Sequence, residues 1–133
     1  MIKVVLEGKP KPKPAGCIKY TRGRAYISMD VRGYSKWKAK HVKDLQNIPK
    51  GIKAYGIVYN VIVPNRFQLG DLTNITNAVQ DIMVDAEILK DDNSKHVNKV
   101  YEVLTISKDI DYAVEVYFCQ SKSEFGLVVN RFL

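Results

Sequence analysis

Apolar residues recur along this chain at two distinct periods. Across residues 30–47, Val31, Tyr34, Trp37, His41/Val42 and Leu45 fall three and four apart, and Lys36, Lys38, Lys40 and Lys43 fill much of the remainder. That spacing predicts an amphipathic helix, opened by Asp30 as its N-cap and ended by Pro49 and Gly51. The period returns further on: Leu72, Ile75, Val79, Ile82, Met83 and Ala86 make an apolar stripe, and Asn74, Asn77, Asp81 and Asp85 a polar one. A second helix is expected there. Elsewhere the apolar runs are short, β-branched and aromatic, which suits strands.

Strands are expected at residues 2–6, 18–20, 24–27, 52–63, 97–106 and 112–119. Thr21-Arg22-Gly23 reads as the turn of one hairpin, and residues 108–111 as the turn of a second, joining 97–106 to 112–119. Residues 120–133 read as a tail, or as a short strand at Leu127-Val-Val that pairs with a second subunit. The order strand, hairpin, helix, strand, helix, strand, strand implies an α/β or α+β fold, a mixed β-sheet with two helices packed on one face. A single domain over residues 1–133 is long enough to bury its own core.

Residues 8–16 break the pattern, because Pro10, Pro12 and Pro14 remove alternate backbone donors and favour an extended path. Lys9, Lys11 and Lys13 would splay outward from it. Together with Arg22 and Arg24 they are the candidate contacts to a nucleic-acid backbone, with Tyr20 and Tyr26 available to stack on an unpaired base.

Charge sharpens that reading. Residues 1–70 hold 15 Lys/Arg against 3 Asp/Glu, and residues 71–133 hold 6 against 11, so a net +7 hides halves of +12 and −5. A basic half beside an acidic half suits a protein that grips phosphates on one surface and holds metal on another. Neither a membrane-spanning helix nor a signal peptide is expected: no run approaches ~18 apolar residues, and the opening segment meets Glu7 too soon for a signal peptide. A cytoplasmic protein is expected. Cys17 and Cys119 stand far apart without the spacing of a zinc site and read as reduced thiols. Two histidines, His41 and His96, are too few for a histidine-based metal centre.

The candidate chemistry lies at residues 70–92, where the second helix is flanked by Asp71 on one side and Asp91-Asp92 on the other. Should the two ends meet, these carboxylates form an oxygen-rich site of the kind that suits Mg²⁺, with Mn²⁺ as the alternative. Asp71 also fits a plain helix N-cap, and Asp91-Asp92 a plain turn.

The same residues resemble the signature of the RusA family of Holliday-junction resolvases, in which Asp-x-Asp-Asn-x-x-Lys opens a helix and an Asp-Asp pair follows about one helix later. Asp71, Asn74, Asp81 and Asp92 match, whereas Thr73 stands for an expected aspartate and Asn77 for the expected lysine. The likeness extends upstream, through Gly8-Lys-Pro10-Lys-Pro12-Lys13-Pro14 and Tyr20-Thr-Arg22-Gly-Arg24-Ala-Tyr26, and covers the chain from near residue 2 to about residue 119.

The resemblance implies a homodimeric, Mg²⁺-dependent endonuclease of phage or prophage origin, resolving four-way junctions in DNA recombination and repair. It assigns the metal to Asp71, Asp92 and Asp91, catalytic positions to Thr73 and Asn77 as well, and supporting positions to Asn74 and Asp81. Lys90, Lys95 and Lys99 lie close enough in sequence to the acidic turn to replace the missing lysine. Two alternatives stay open: a lapsed member that binds junctions without cutting them, and a basic nucleic-acid-binding module with no catalysis.

Overall fold

In the computed structural model, residues 1–10, 18–21, 23–27, 34–65, 72–89 and 97–133 are described. They form, in order, β1 (Ile2–Glu7), β2 (Ile18–Thr21), β3 (Arg24–Ile27), α1 (Tyr34–Asp44), β4 (Ala54–Val63), α2 (Leu72–Asp85), β5 (Val97–Ile106), β6 (Ala113–Cys119) and α3 (Lys122–Asn130). β4 is apolar on both faces and almost wholly buried, so it needs a strand on each side and a layer on each face. It has them.

The main sheet runs β1-β6-β4-β5 and is mixed: β5 lies parallel to β4, β6 antiparallel to β4, and β1 antiparallel to β6. One face carries Ile57, Tyr59, Val61, Val114, Val116 and Phe118 against α1 and α2. This is the expected mixed α+β sheet with two helices on one face. β2 and β3 pair with each other as the expected hairpin, in a separate two-stranded sheet.

Two expectations are corrected. The strands 97–106 and 112–119 do not form a hairpin, because β4 lies between β5 and β6. β6 is buried on both faces and cannot sit at an edge, so it takes the place beside β4, and residues 107–112 carry the chain over the end of β4. That loop is pinned by Ser107 N–H donating to the Val63 carbonyl at 2.9 Å. Crossing two strand spacings, about 10 Å, takes more than a tight turn.

Residues 120–133 are neither tail nor strand. They form α3 on the second face of the sheet, where Phe125, Val128, Val129 and Phe132 pack against Val58, Tyr117 and Cys119. Ser121 caps it by accepting from Glu124 N–H at 3.1 Å, and the Glu124 carboxylate accepts from Gln120 N–H at 2.7 Å. Gly56 is glycine because of α3: a Cβ there would overlap the Phe125 ring.

α1 buries Trp37, His41 and Leu45, the stripe its periodicity predicts. It ends at Asp44 rather than Asn47, in a tighter turn in which Gln46 N–H donates to the Lys43 carbonyl and Ile48 N–H to the Leu45 carbonyl. The expected Asp30 cap lies outside the described residues, as does Cys17. Cys119 lies in β6 as expected, and burial pushes its thiol pKa up.

Candidate functional site

α2 is the crossover of a β4-α2-β5 unit, so it runs back against the direction of both parallel strands. Its first turn therefore lies at the carboxyl ends of β4 and β5, the end of a parallel pair where ligands of α/β sheets commonly bind. Of the predicted apolar stripe Ile75, Val79, Ile82 and Met83 are buried, joined by Thr76 and Ala78, with Leu72 and Ala86 half-buried; of the polar stripe Asn74, Asn77 and Asp85 are exposed, as is Thr73. The two departures from the RusA-like signature, Thr73 and Asn77, thus stand on the open side of the helix. Asn74 and Asp81, the expected supporting residues, are both engaged with neighbours, Asp81 half-buried.

The far end of α2 is built with unusual care. Glu87 adopts φ 63°, the left-handed conformation that glycine normally supplies after a helix. Ile88 N–H then reaches back to the Met83 carbonyl at 2.9 Å, and Glu87 N–H to the Val84 carbonyl at 2.9 Å. The carbonyls of Glu87 and Ile88 accept from Gly51 N–H and Ile52 N–H, at 2.9 and 2.8 Å. The chain is therefore clamped onto the entrance of β4 at Ile88, three residues before Asp91 in sequence. Asp71, Asp91 and Asp92 themselves lie outside the described residues.

The described residues nearest to them fall at opposite ends of the helix, since Leu72 follows the end of β4 while Leu89 and Val97 lie at its start. Fourteen helical residues span about 20 Å. Three extended residues beyond Leu89 reach about 10 Å. One metal ion shared by Asp71 and Asp92 of the same chain thus requires the acidic segment to run back along α2.

A carboxylate that sequence reasoning passed over faces α2 from β5. Glu102 is half-buried, and its Oε1 lies 2.6 Å from the hydroxyl of the buried Thr76, which also stands 3.1 Å from the Thr73 carbonyl. Burial, and secondarily the charge of Glu102, push the pKa of the neighbouring Tyr59 phenol well above its ordinary range. The signal was present in the sequence: Val100, Glu102, Leu104 and Ile106 share one face of β5, and a charge in that series needs a partner. Among the described residues, no three His, Cys, Asp or Glu side chains gather into a metal site.

The second face of the sheet holds a polar line across all four strands. Lys3 Nζ lies 2.7 Å from Glu115 Oε2, Asn60 Nδ2 donates to Glu115 Oε1 at 2.8 Å, and Thr105 Oγ1 donates to Asn60 Oδ1 at 2.6 Å. Desolvation favours the neutral form of Glu115. The bonds from Lys3 and Asn60 outweigh it and hold the carboxyl below its usual pKa.

Of the expected nucleic-acid contacts, Lys9 is exposed, its ammonium 5.9 Å from the centre of the Tyr112 ring. The Tyr112 phenol is pushed up to about 12 by burial. Arg24 lies in β3, and Lys11, Lys13 and Arg22 lie outside the described residues. Of the stand-in cations, Lys99 is paired in register with Gly56 and so belongs to the sheet face away from α2; Lys90, Lys95 and His96 lie outside the described residues.

His41 is part of the core instead of a site. It is 2% exposed, stacked edge-on to Trp37 at 5.1 Å, with Nδ1 3.6 Å from Asp44, and burial lowers its pKa. No helix among the described residues is long and apolar enough to cross a membrane. No protein-family model matches the chain, and comparison with curated protein sequences yields no relative.

Proposed function

We propose that the protein is a RusA-like, Mg²⁺-dependent endonuclease acting as a homodimer on branched DNA, four-way junctions foremost. The observation that carries this reading is the pairing of the Asp71…Asp91-Asp92 signature with a crossover helix whose first turn stands at the carboxyl ends of two parallel strands. Glu102 and Thr76 add oxygen ligands or water partners beside that turn.

In this proposal Asp71 and Asp92, helped by Asp91, would hold the ion, which within one chain requires residues 90–92 to return along α2, and the ion would activate water and neutralise charge on the phosphate. Asn74 and Asp81 support the helix face. Asn77 donates a neutral hydrogen bond where a lysine would place a charge, and Thr73 offers a hydroxyl where an aspartate would place a ligand. Both substitutions slow the reaction. The basic half of the chain grips the phosphates.

One observation favours a second reading, a lapsed protein that binds junctions without cutting them: two neutral side chains, Thr73 and Asn77, occupy the open face of α2 where two charges are expected. A cleavage assay on a labelled four-way junction with Mg²⁺ or Mn²⁺ separates the two. Nicking that Asp92→Asn abolishes supports the enzyme. A shifted but intact junction supports the lapsed binder, and equal affinity for linear and branched DNA with no cleavage removes both.

A further inference from the structure

α1 turns two different faces outward and inward. Trp37, His41 and Leu45 are buried, while Lys36, Lys40 and Lys43 are exposed on the opposite side at spacings of four and three residues. Such spacing aligns the three lysines in one stripe about 10 Å long. Three other lysines are neutralised locally: Lys3 pairs with Glu115, Lys38 with Asp85 at 3.0 Å and Lys50 with Glu87 at 3.0 Å. Lys36, Lys40 and Lys43 have no ion-pair partner among the described residues. Three cations with no partner among the described residues repel one another across a helix face, a cost that an anionic partner would remove.

We infer that this stripe of α1 is a phosphate-tracking surface that lies along one strand of a nucleic-acid duplex. It rests on the DNA-binding part of the proposed function and adds a contact surface that the Lys-Pro loop does not contain. Duplex phosphates advance about 3.4 Å of axis per strand position, so a stripe of about 10 Å spans three of them, one per lysine. Phosphate contact makes no demand for a planar fork, which suits lysine. A membrane surface fits less well. A helix that lies in a bilayer interface inserts apolar residues beside its basic ones, whereas the described exposed positions of α1 are Lys36, Ala39, Lys40, Lys43 and Asp44.

The test is fluorescence-anisotropy binding to a labelled linear duplex and a labelled four-way junction, without divalent metal, over a series of salt concentrations. The wild type is compared with Lys36→Ala/Lys40→Ala/Lys43→Ala, with the corresponding triple Arg variant, and with Lys53→Ala/Lys108→Ala/Lys122→Ala as a control of equal charge loss. The α1 alanine variant is expected to lose at least about tenfold in affinity at low salt and to flatten the plot of log affinity against log salt by up to about 2.7, or about 0.9 per phosphate contact. The arginine variant should bind as the wild type does, and thermal melts should coincide for all four proteins.

Equal losses in the α1 and control variants would overturn the placement and leave a diffuse effect of net charge. An unchanged slope in the α1 variant overturns it as well while leaving the DNA reading standing. A wild type that binds neither DNA overturns both, and binding to phosphatidylserine vesicles in place of DNA assigns the stripe to a membrane surface.

Discussion

Asn60 and Glu115 sit directly opposite each other in the β4–β6 register, and the Asn60 amide donates a 2.8 Å hydrogen bond to the Glu115 carboxylate. Asn60 is 3% exposed in a strand otherwise apolar on both faces. It earns its place by serving both neighbours, since Thr105 donates to its carbonyl oxygen. Replacing it with leucine keeps the branched outline, at a larger volume, and strips both bonds. Asn60→Leu should therefore lose about 2–3 kcal/mol of unfolding free energy in a urea titration, because buried partners left unserved cost more than the bonds contribute net. A loss under about 0.5 kcal/mol would show that water serves Glu115 and Thr105 well enough.

Acid should weaken the fold in two separable steps. Burial lowers the pKa of His41, so the neutral ring's contribution is full above the unfolded value of ~6.5 and is lost as pH falls through the folded one. Glu115 is also depressed, so its contribution is full above ~4.3 and is lost only in stronger acid. Lys3 is raised, chiefly by its bond to Glu115, and gives the mirror image: its share is present below ~10.4 and lost as pH rises beyond that. Urea midpoints measured against pH should show His41→Phe removing the upper acid step and Glu115→Gln the lower. A His41→Phe profile parallel to wild type between pH about 7 and about 5 would place the upper step elsewhere.

Glu87 carries strain that glycine would relieve. A side chain at φ 63° costs about 1 kcal/mol, and the pair that Glu87 makes with Lys50 is exposed on both sides and returns little. Glu87→Gly should raise the thermal midpoint, by a free energy of about 1 kcal/mol less the lost ion pair and the added freedom of the unfolded chain. If the midpoint falls instead, the Lys50 contact holds the end of α2 more firmly than its exposure suggests.

α3 can be tested through Gly56. Adding one methyl in Gly56→Ala should push Phe125 off the sheet at about 1–3 kcal/mol. Phe125→Leu on the same background should recover part of that loss, although it is destabilising by itself. Strict additivity of the two changes in a double-mutant cycle would mean that the side chains do not meet.

What the sequence disclosed follows from where each signal resides. α2 was legible because its stripe, from Leu72 to Ala86, is decided by residues three and four apart. The neighbours of β5 and β6 were not, because strand order depends on which strand must be buried on both faces, and β4 competes for that place only once the chain has folded. α3 was legible and passed over: Ser121-Lys-Ser-Glu124 is a capping box, and Phe125, Val128, Val129 and Phe132 keep helical spacing, but the β-branched pair in Leu127-Val-Val read as strand. At the candidate site the exposure of Asn74, Asn77 and Asp85 was foreseen from the period of α2, whereas Asp81 of the same polar stripe is half-buried and exposed Thr73 was not placed in it. Glu102 was not, since its meaning depends on a partner 26 residues away in α2.

Thr73 and Asn77 provide the sharpest test of the proposed function, because both are exposed and can be changed without disturbing the core. Thr73→Asp places a carboxylate two residues after Asp71, and Asn77→Lys a cation one turn further along the same open face of α2. Within a RusA-like site the first supplies a ligand charge that a hydroxyl cannot, and the second neutralises charge that develops on the phosphate. The measurement is the single-turnover cleavage rate of a four-way junction at saturating protein, with Mg²⁺ varied. The double variant should cut faster than wild type and reach half its maximal rate at lower Mg²⁺, while both bind the junction equally within a few-fold. Asp71→Asn in the double variant should abolish cutting and spare binding, since removing a carboxylate lessens repulsion of the phosphate. A wild type that already cuts as fast as the double variant would shift attention to Glu102: Glu102→Gln should then slow it, and a wild-type rate in that variant as well would remove the first turn of α2 from the chemistry.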